Sequence, residues 1–238
     1  MTDPDVPPSR ERVLIETFAL VADLMVADHE IADLLDVVVH RCVELFPVDA
    51  AGLLLRDRSG RLGLAATSSE ASRLVEFLQL QSDEGACLDA YTSGEPVLVD
   101  DLSSDDRWPT WGPATRELGF RSVSSIPLRW RDTTIGALNM FREEVGHLRA
   151  EDLYAARTLA QIATTGILQH RALDDAEQLG RQLQTALDSR VVIEQAKGVL
   201  AERHGISLEQ AFEQLRTEAR RSRRKVGELA REITAGRP

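Results

Sequence analysis

The sequence lacks the features by which secreted proteins and membrane proteins are usually recognised. It contains two cysteines, Cys42 and Cys87, which are too few for a disulfide framework and indicate a reducing compartment. No apolar run approaches the roughly eighteen residues that a membrane helix needs. The first residues, MTDPDVPPSRER, lack the basic and apolar segments of a signal peptide. We therefore expect a cytoplasmic protein.

Motifs for catalysis and cofactor binding are also missing. There is no GxSxG, HExxH or CxxC motif, and no glycine-rich loop ends in GK followed by Ser or Thr. The histidines are far apart and lack metal-ligand spacing: His29, His40, His147, His170 and His204. We predict a protein that is not an enzyme and that holds no metal ion or other cofactor.

Proline is absent between Pro127 and Pro238, and the chain changes character there. From Ala150 to about Arg203 the pattern is helical, and we expect two long helices or one bent helix. A glycine inside a helix costs about 1 kcal/mol, so a bend is expected near Gly166 or Gly180. Close to heptad spacing predicts a coiled-coil seam for a partner helix through Leu179, Leu183, Ala186, Ile193 and Leu200.

The earlier part of the chain mixes helices with short strands. Apolar periodicity predicts helices over 11–25, 29–45 and 74–80. Strands are predicted for Ala50–Arg56, Arg61–Thr67, Gly119–Arg129 and Thr133–Phe141, whereas residues 83–116 are rich in Gly, Pro, Ser and Asp. This order predicts an α+β domain, an antiparallel sheet flanked by helices.

We divide the chain into three parts. Residues 1–9 are polar and proline-rich and are expected to form a disordered arm. Residues 10–170 should form the α+β domain. Residues 171–238 should form the coiled-coil helix followed by a small all-α unit of three helices. Ser207 with Gln210 three residues later is a capping-box pattern that predicts a helix start within this unit.

Positive charge is scarce except near the carboxy terminus. The chain carries a formal net charge of −11, yet residues 173–238 contain 12 Lys/Arg and 11 Asp/Glu. Six basic residues and one acidic residue lie within Arg216–Lys225. Because salt screens distant charges, a local basic patch can attract nucleic acid even on an acidic protein.

Six cations are the candidate phosphate-binding residues of this region. Arg190 and Lys197 are one heptad apart and flank the apolar stripe, and Arg216 and Arg220 are neighbours on the next helix. Arg221 and Arg224 follow in the next turn. The alternative interpretation is that these cations pair with Glu194, Glu202 and Glu218 and only solvate the helices.

The stretch SRVVIEQAKGVLAERHGISLEQAFEQLRTEAR strongly resembles the ANTAR domain of bacterial antiterminators. The matching positions are Ser189, Arg190, Ile193, Ala196, Lys197, Gly198, Ala211, Phe212, Leu215, Arg216, Ala219 and Arg220. The resemblance implies a three-helix unit that binds RNA hairpins, usually as a dimer, and favours antitermination. The segment Arg221–Val226 departs from the pattern, where an Asn and a Leu are expected around Arg223 and Val226, and this departure bears on sequence preference.

Within the ANTAR-like unit, a second group of residues is assigned to structure. Ala196, Ala211 and Phe212 are expected in the core. Gly198 lacks a side chain, so it would allow the close approach of the RNA backbone or of a neighbouring helix. Tight packing inside the three-helix unit is the alternative role for this glycine.

The first 170 residues look like a GAF domain, through TSGEPVLVDDL at Thr92–Leu102 and TIGALNMF at Thr134–Phe141. GAF domains mostly sense small molecules, so the resemblance implies a sensor with an unidentified ligand. The candidate pocket residues are Cys87, Trp108, Trp111, Phe120 and Ser124. For Cys87, a reactive thiol and a small buried apolar residue are the two alternatives.

Together these observations predict a signal-responsive regulator. The sensor would control binding of the carboxy-terminal unit to hairpin leader transcripts, and the long helices would form a homodimer. Two alternatives remain open: a DNA-binding regulator that uses helices over 207–221 and 223–233, and a sensor that docks on a protein partner. The second of the two helices offers few base-reading side chains for a DNA groove.

Overall fold

The computed structural model describes residues 10–26 and 30–235. The chain divides into two compact units, and the division falls between Arg171 and Ala172. The arm predicted for residues 1–9 lies outside the described residues, as does His29. Within the described ranges, no helix is both long enough and apolar enough to cross a membrane.

The first unit is an antiparallel sheet flanked by helices, in agreement with the predicted fold class. Its helices before the long one are α1 (Arg10–Val26), α2 (Ile31–Leu45), α3 (Glu70–Ser82), α4 (Ala86–Ser93) and α5 (Trp111–Glu117). Its strands are β1 (Ala50–Arg56), β2 (Leu62–Thr67), β3 (Val97–Val99), β4 (Ser122–Trp130) and β5 (Thr133–Arg142).

The five strands run in the order β2-β1-β5-β4-β3, and every neighbouring pair is antiparallel. At the centre, β5 pairs with β1 from Gly136 opposite Leu55 to Phe141 opposite Ala50. A Cβ at Gly136 would lie 2.1 Å from the backbone oxygen of Leu54. Glycine is therefore required where these central strands meet.

Successive strand residues point to opposite faces of the sheet, and each face has its own core. Leu53 and Leu138 pack on one face with residues of α1, α2 and the first part of α6, the long helix Ala150–His204. Their neighbours Leu54 and Ala137 point to the other face, which α3, α4 and α5 cover.

The long helix α6 is one continuous helix of 55 residues, where the sequence left one bent helix or two helices open. Gly166 packs closely in the first unit, since a Cβ there would lie 2.9 Å from side-chain atoms of Leu34 and Met25. At Gly180 a Cβ would meet no atom within 4 Å. The helix tolerates both glycines without a break.

The second unit contains the end of α6 and two short helices, α7 (Leu208–Arg221) and α8 (Val226–Thr234). The predicted capping box is present, since the Ser207 hydroxyl accepts from the backbone N–H of Gln210 and the Gln210 side chain accepts from the backbone N–H of Ser207. The core of this unit is a small apolar cluster of Ala196, Leu200, Ala211, Leu215 and Ala230, and Ala219 is buried as well.

Candidate nucleic-acid interface

An aromatic ring and two cations come together where α6 packs against α7. The Lys197 Nζ lies 5.6 Å from the centre of the Phe212 ring, and the Arg216 Cζ lies 5.8 Å from it. Phe212 is only partly buried, whereas the sequence predicted it in the core. Packing explains the difference: Ala211 and Leu215 fill the interior, whereas the Phe212 ring lies beside the two cations.

Four of the six candidate cations form ion pairs within the unit. Lys197 contacts Glu194 at 2.8 Å, Arg216 contacts Glu213 at 2.7 Å and Arg221 contacts Glu218 at 2.8 Å. Arg224 forms two hydrogen bonds of 2.9 Å and 2.5 Å to Glu232. Exposed pairs of this kind contribute little to stability, so an incoming phosphate can compete for the arginines.

The other two candidates, Arg190 and Arg220, are exposed and have no acidic partner among the described residues. The same holds for Arg223 and Lys225, which lie in the turn between α7 and α8. Arg223 has a φ of 54°, so the backbone turns sharply there. Arg220, Arg223 and Lys225, which form no ion pair within the described ranges, therefore lie close together in sequence on an exposed surface.

The structure distinguishes the two roles considered for Gly198. A Cβ at this position would meet no atom within 4 Å, so the glycine does not serve packing inside the unit. Gly227 has that role instead, because a Cβ there would lie 2.5 Å from the Ser189 hydroxyl oxygen. Gly227 lets α8 lie against α6, and its sequence context gave no signal of this contact. The small residues Ala196 and Ala211 are fully buried.

The candidate sensor residues lie in the first unit, distributed over two apolar clusters and the sheet. Trp108, Trp111 and Phe120 are buried in one cluster, with the two indole rings 5.2 Å apart and edge to face. Cys87 is fully buried in a neighbouring cluster, and Ser124 is 6% exposed on β4. That these side chains line a ligand pocket stays a prediction.

An open cleft of about 580 Å³ lies elsewhere on this unit. It contains none of the five predicted pocket residues. Its walls come from the β1–β2 turn, the end of α3 and helix α4, and are formed by Gly60, Arg61, Leu62, Leu80, Asp83, Leu88, Asp89, Tyr91 and Thr92.

Sequence reasoning missed a buried polar network between α3 and the sheet. The Asn139 side-chain amide donates to Glu76 Oε1 and that of Gln79 donates to Glu76 Oε2, both at 2.7 Å. The Ser125 hydroxyl donates to Asn139 Oδ1 at 2.6 Å, and the Cys87 backbone N–H donates to Gln79 Oε1 at 2.9 Å. All five residues are 0% exposed. Burial raises the pKa of Glu76 to about 7, although the two amide hydrogen bonds oppose the shift.

Both thiols are buried in the first unit. Burial raises the pKa of Cys42 to about 12 and raises that of Cys87 well above its ordinary value. Of the two alternatives for Cys87, the small buried apolar residue fits these surroundings. Across the part of the chain that the structure describes, no three His, Cys, Asp or Glu residues are grouped so that they could hold a metal ion.

Comparisons with known proteins assign both units. A family model for the GAF domain matches residues 28–167, and one for the ANTAR domain matches residues 181–233. The comparison with curated proteins found no match.

Solved structures resemble the first unit in fold. The GAF domain of a phosphoenolpyruvate-protein phosphotransferase from Coxiella burnetii is 23% identical, with a TM-score of 0.56 over 71% of this chain and 99% of that one. Free methionine-R-sulfoxide reductase from Neisseria meningitidis is 20% identical, with a TM-score of 0.55 over 73% and 99%. The protein is thus a member of the GAF domain family that carries an ANTAR domain at its carboxy-terminal end.

Proposed function

We propose that the protein is a signal-responsive, RNA-binding regulator of transcription antitermination. The sensor unit controls the affinity of the carboxy-terminal unit for hairpin leader transcripts, and binding favours the antiterminator hairpin over the terminator. A preference of about 1.4 kcal/mol changes the ratio of the two hairpins tenfold. The observation that carries this proposal is the ANTAR match at residues 181–233.

The surface around Phe212 supports an RNA target. Proteins read RNA sequence mostly in loops, where unstacked bases rest on aromatic rings or guanidinium groups and phosphates meet cations. Phe212 is partly exposed beside Lys197 and Arg216. The ring and its two cations thus supply both kinds of contact where α6 packs against α7.

The exposed cations extend this surface. Arg190, Arg220, Arg223 and Lys225 can bind phosphate without first breaking an ion pair within the described residues. Gly198 is exposed and surrounded by open space, so an RNA backbone can approach the end of α6 closely there. Lys197 is held more tightly, because its side chain is 17% exposed and contacts both Glu194 and Phe212.

A homodimer is the second part of the proposal. The part of α6 in the second unit exposes large apolar side chains at helical spacing, each more than half exposed: Leu173, Leu179, Leu183, Leu187 and Val191. A stripe of this kind is stable in water when a second helix covers it. We propose that the same stripe of a second copy does so and that two RNA-binding units are thereby joined.

The proposal includes no bond chemistry. A nucleophilic or redox-active cysteine needs an accessible thiolate, and both thiols here are fully buried with raised pKa values. We propose that the first unit acts instead by binding a signal, an unidentified small molecule being the expected class.

Replacing Arg190 and Arg220 by alanine tests the RNA-binding function. Both side chains are exposed and unpaired within the described residues, so the variants should fold normally. Because hydrogen bonds to charged groups contribute about 1.5–3 kcal/mol, each variant should bind hairpin RNA roughly tenfold more weakly or worse. Binding should also depend less steeply on salt for each phosphate contact that is lost. Electrophoretic mobility shifts at several salt concentrations measure both effects.

Arg181→Ala is the matched control. Arg181 is an exposed arginine of α6, nine residues before Arg190. Its substitution removes the same charge, and the variant should bind RNA like the unmodified protein. Two further binding reactions complete the panel, one with duplex DNA and one with cell protein in place of nucleic acid. Preferential binding of duplex DNA would replace the RNA proposal with the DNA-binding alternative. Unchanged RNA affinity in both arginine variants would exclude these two residues from the interface.

A further inference from the structure

Helix α3 buries two large polar side chains and exposes two large apolar ones. Glu76 and Gln79 are fully buried, whereas Leu74 and Phe77 are 41% and 42% exposed. A Cβ at Gly52 of β1 would lie 2.2 Å from Glu76 Oε1, so the sheet lies directly against the carboxyl group. A buried carboxyl group is costly unless it is fully hydrogen bonded. The surroundings of Glu76 therefore determine which protonation states it can adopt.

In the ionised state, every hydrogen-bonding group around Glu76 is satisfied. A carboxylate only accepts hydrogen bonds, and each of its oxygens receives one amide N–H, from Asn139 and from Gln79. This arrangement fixes the two amide orientations. The oxygen of Asn139 then accepts from the Ser125 hydroxyl, and the oxygen of Gln79 accepts from the Cys87 backbone N–H.

A proton on Glu76 can be accommodated on one side of this network and not on the other. A proton on Oε1 faces Asn139, whose amide can rotate by half a turn to accept it and then donate to Ser125. The Ser125 hydroxyl can serve as an acceptor because hydroxyl groups both donate and accept. A proton on Oε2 faces Gln79, and rotation of that amide would set its N–H groups against the Cys87 N–H. The geometry therefore selects Oε1.

Among the residues that the structure describes, no cation compensates the charge of Glu76. From α3 and β5 its hydrogen-bond partners are the two neutral amides, and from β1 the neighbour is Gly52. From α4 the Cys87 thiol faces it, and an ionised thiol there would repel the carboxylate. That thiol stays neutral because burial raises its pKa well above the ordinary value. Glu76 is thus the titrating group of the network.

We propose that Glu76, Asn139 and Ser125 form a proton-operated switch inside the GAF domain. Uptake of one proton from water at Glu76 Oε1 rotates the Asn139 amide and converts Ser125 from a donor to Asn139 into an acceptor from it, so that the Ser125 hydroxyl proton turns away from Asn139. The signal that this switch reads is pH near neutrality. Its effect on RNA affinity rests on the proposed antitermination function, whereas the switch itself does not.

The sign of the pH dependence follows from burial. Burial raises the pKa of Glu76 from 4.5 to about 7, so the folded protein binds a proton between these values that the unfolded chain does not. The stabilisation of the folded state by this bound proton is fully present below about pH 4.5 and is lost as the pH rises through about 7. Within this window, the contribution of Glu76 to the unfolding equilibrium constant changes by up to roughly tenfold per pH unit.

Glu76→Gln tests the switch, because its amide reproduces the protonated state. The glutamine N–H can donate to a rotated Asn139 and its oxygen can accept from Gln79. Glu70→Gln is the matched control, since Glu70 lies on the same helix with its side chain 69% exposed. Chemical unfolding of the full chain between about pH 5 and 8 should show the additional pH dependence in the unmodified protein and in Glu70→Gln. Glu76→Gln should lack it, and identical profiles in all three proteins would overturn the proposal.

Carboxyl ¹³C NMR of the unmodified chain labelled at glutamate decides the question independently of any variant. One glutamate should titrate near pH 7, and titration of every glutamate below about pH 5.5 would overturn the proposal. RNA affinity measured over the same pH range then tests whether the switch controls RNA binding. Glu76→Gln should show, at every pH, the affinity that the unmodified protein has at low pH. Absence of RNA binding at every pH would refute the proposed function. The NMR titration and the unfolding profiles would still test the switch itself.

Discussion

Replacement of Leu215 by alanine is expected to unfold the carboxy-terminal unit while the GAF unit stays folded. Leu215 is 1% exposed in a core of five buried residues, three of which are alanines. Removing a buried leucine side chain costs about 2–5 kcal/mol. A unit of about 60 residues has little stability to spare. The substitution therefore removes most or all of the free energy of unfolding of this unit.

Hydrogen exchange of the full chain measures this effect unit by unit. Amide protons of α7 and α8 should lose their protection in Leu215→Ala, and protection in the β-sheet should be unchanged. Leu208→Ala is the control, because Leu208 lies on the same helix with 53% of its surface exposed, and it should leave protection almost intact. Protection of α7 that is equal in the two variants would contradict the small core described here.

Replacement of Leu183 by glutamate is expected to dissociate the proposed dimer. Leu183 lies in the middle of the exposed apolar stripe on α6 and is 57% exposed in the single chain. In a two-helix seam the introduced carboxylate of one copy would lose its hydration close to that of the other copy. The dimer dissociation constant should rise at least about a hundredfold, which corresponds to about 2.7 kcal/mol.

Sedimentation equilibrium provides the dissociation constants. Gln182→Glu is the matched control, since it introduces the same charge at the adjacent residue, which is about 100° away around the helix. This variant should remain dimeric. A monomeric unmodified protein at micromolar concentration, or equal weakening in both variants, would contradict a dimer formed through the stripe. RNA binding should weaken with dissociation, because two linked units bind with a higher effective affinity than one.

Local signals in the sequence were sufficient for most of the elements. The capping box at Ser207 marked the start of α7, and the turn at Arg131 and Asp132 separated the two long strands β4 and β5. Short helices were harder to predict. Both α4 and α5 lie in the segment rich in Gly, Pro, Ser and Asp, and α5 begins where Glu84 accepts hydrogen bonds from the backbone of Thr110 and Trp111. Because Glu84 is distant in sequence from the start of α5, no local pattern predicts these hydrogen bonds.

For helix α3, the sequence predicted the helix but not which of its side chains are buried. Its apolar residues Leu74 and Phe77 are partly exposed, and its polar residues Glu76 and Gln79 are buried. Hydrophobic periodicity assumes that polar residues face water. Here the partner that satisfies Glu76 is Asn139, which lies 63 residues later on β5. The pairing becomes visible only when the sheet and the helix are assembled.

At the candidate interface, the sequence located the basic region and its charge but not its pairing. The pattern could not distinguish Arg224, which forms an ion pair, from Arg220, which has no acidic partner in the part of the chain that the structure describes. It also assigned Phe212 to the core, because Phe212 falls on one helical face with Leu208, Ala211, Leu215 and Ala219. The arginine substitutions test which of these cations contribute to the proposed RNA binding.

The placement of the two thiols gives the protein a natural reporter of its own opening. Cys42 and Cys87 are both fully buried in the GAF unit, and the chain beyond Arg171 contains no cysteine. A thiol reagent can therefore modify the native chain only when this unit opens. The rate of modification, measured by mass spectrometry in dilute reagent, follows the opening of the GAF unit in the intact protein and does not depend on local opening of the carboxy-terminal unit. An effector that tightens the sensor would slow this chemistry before its target or its chemical identity is known.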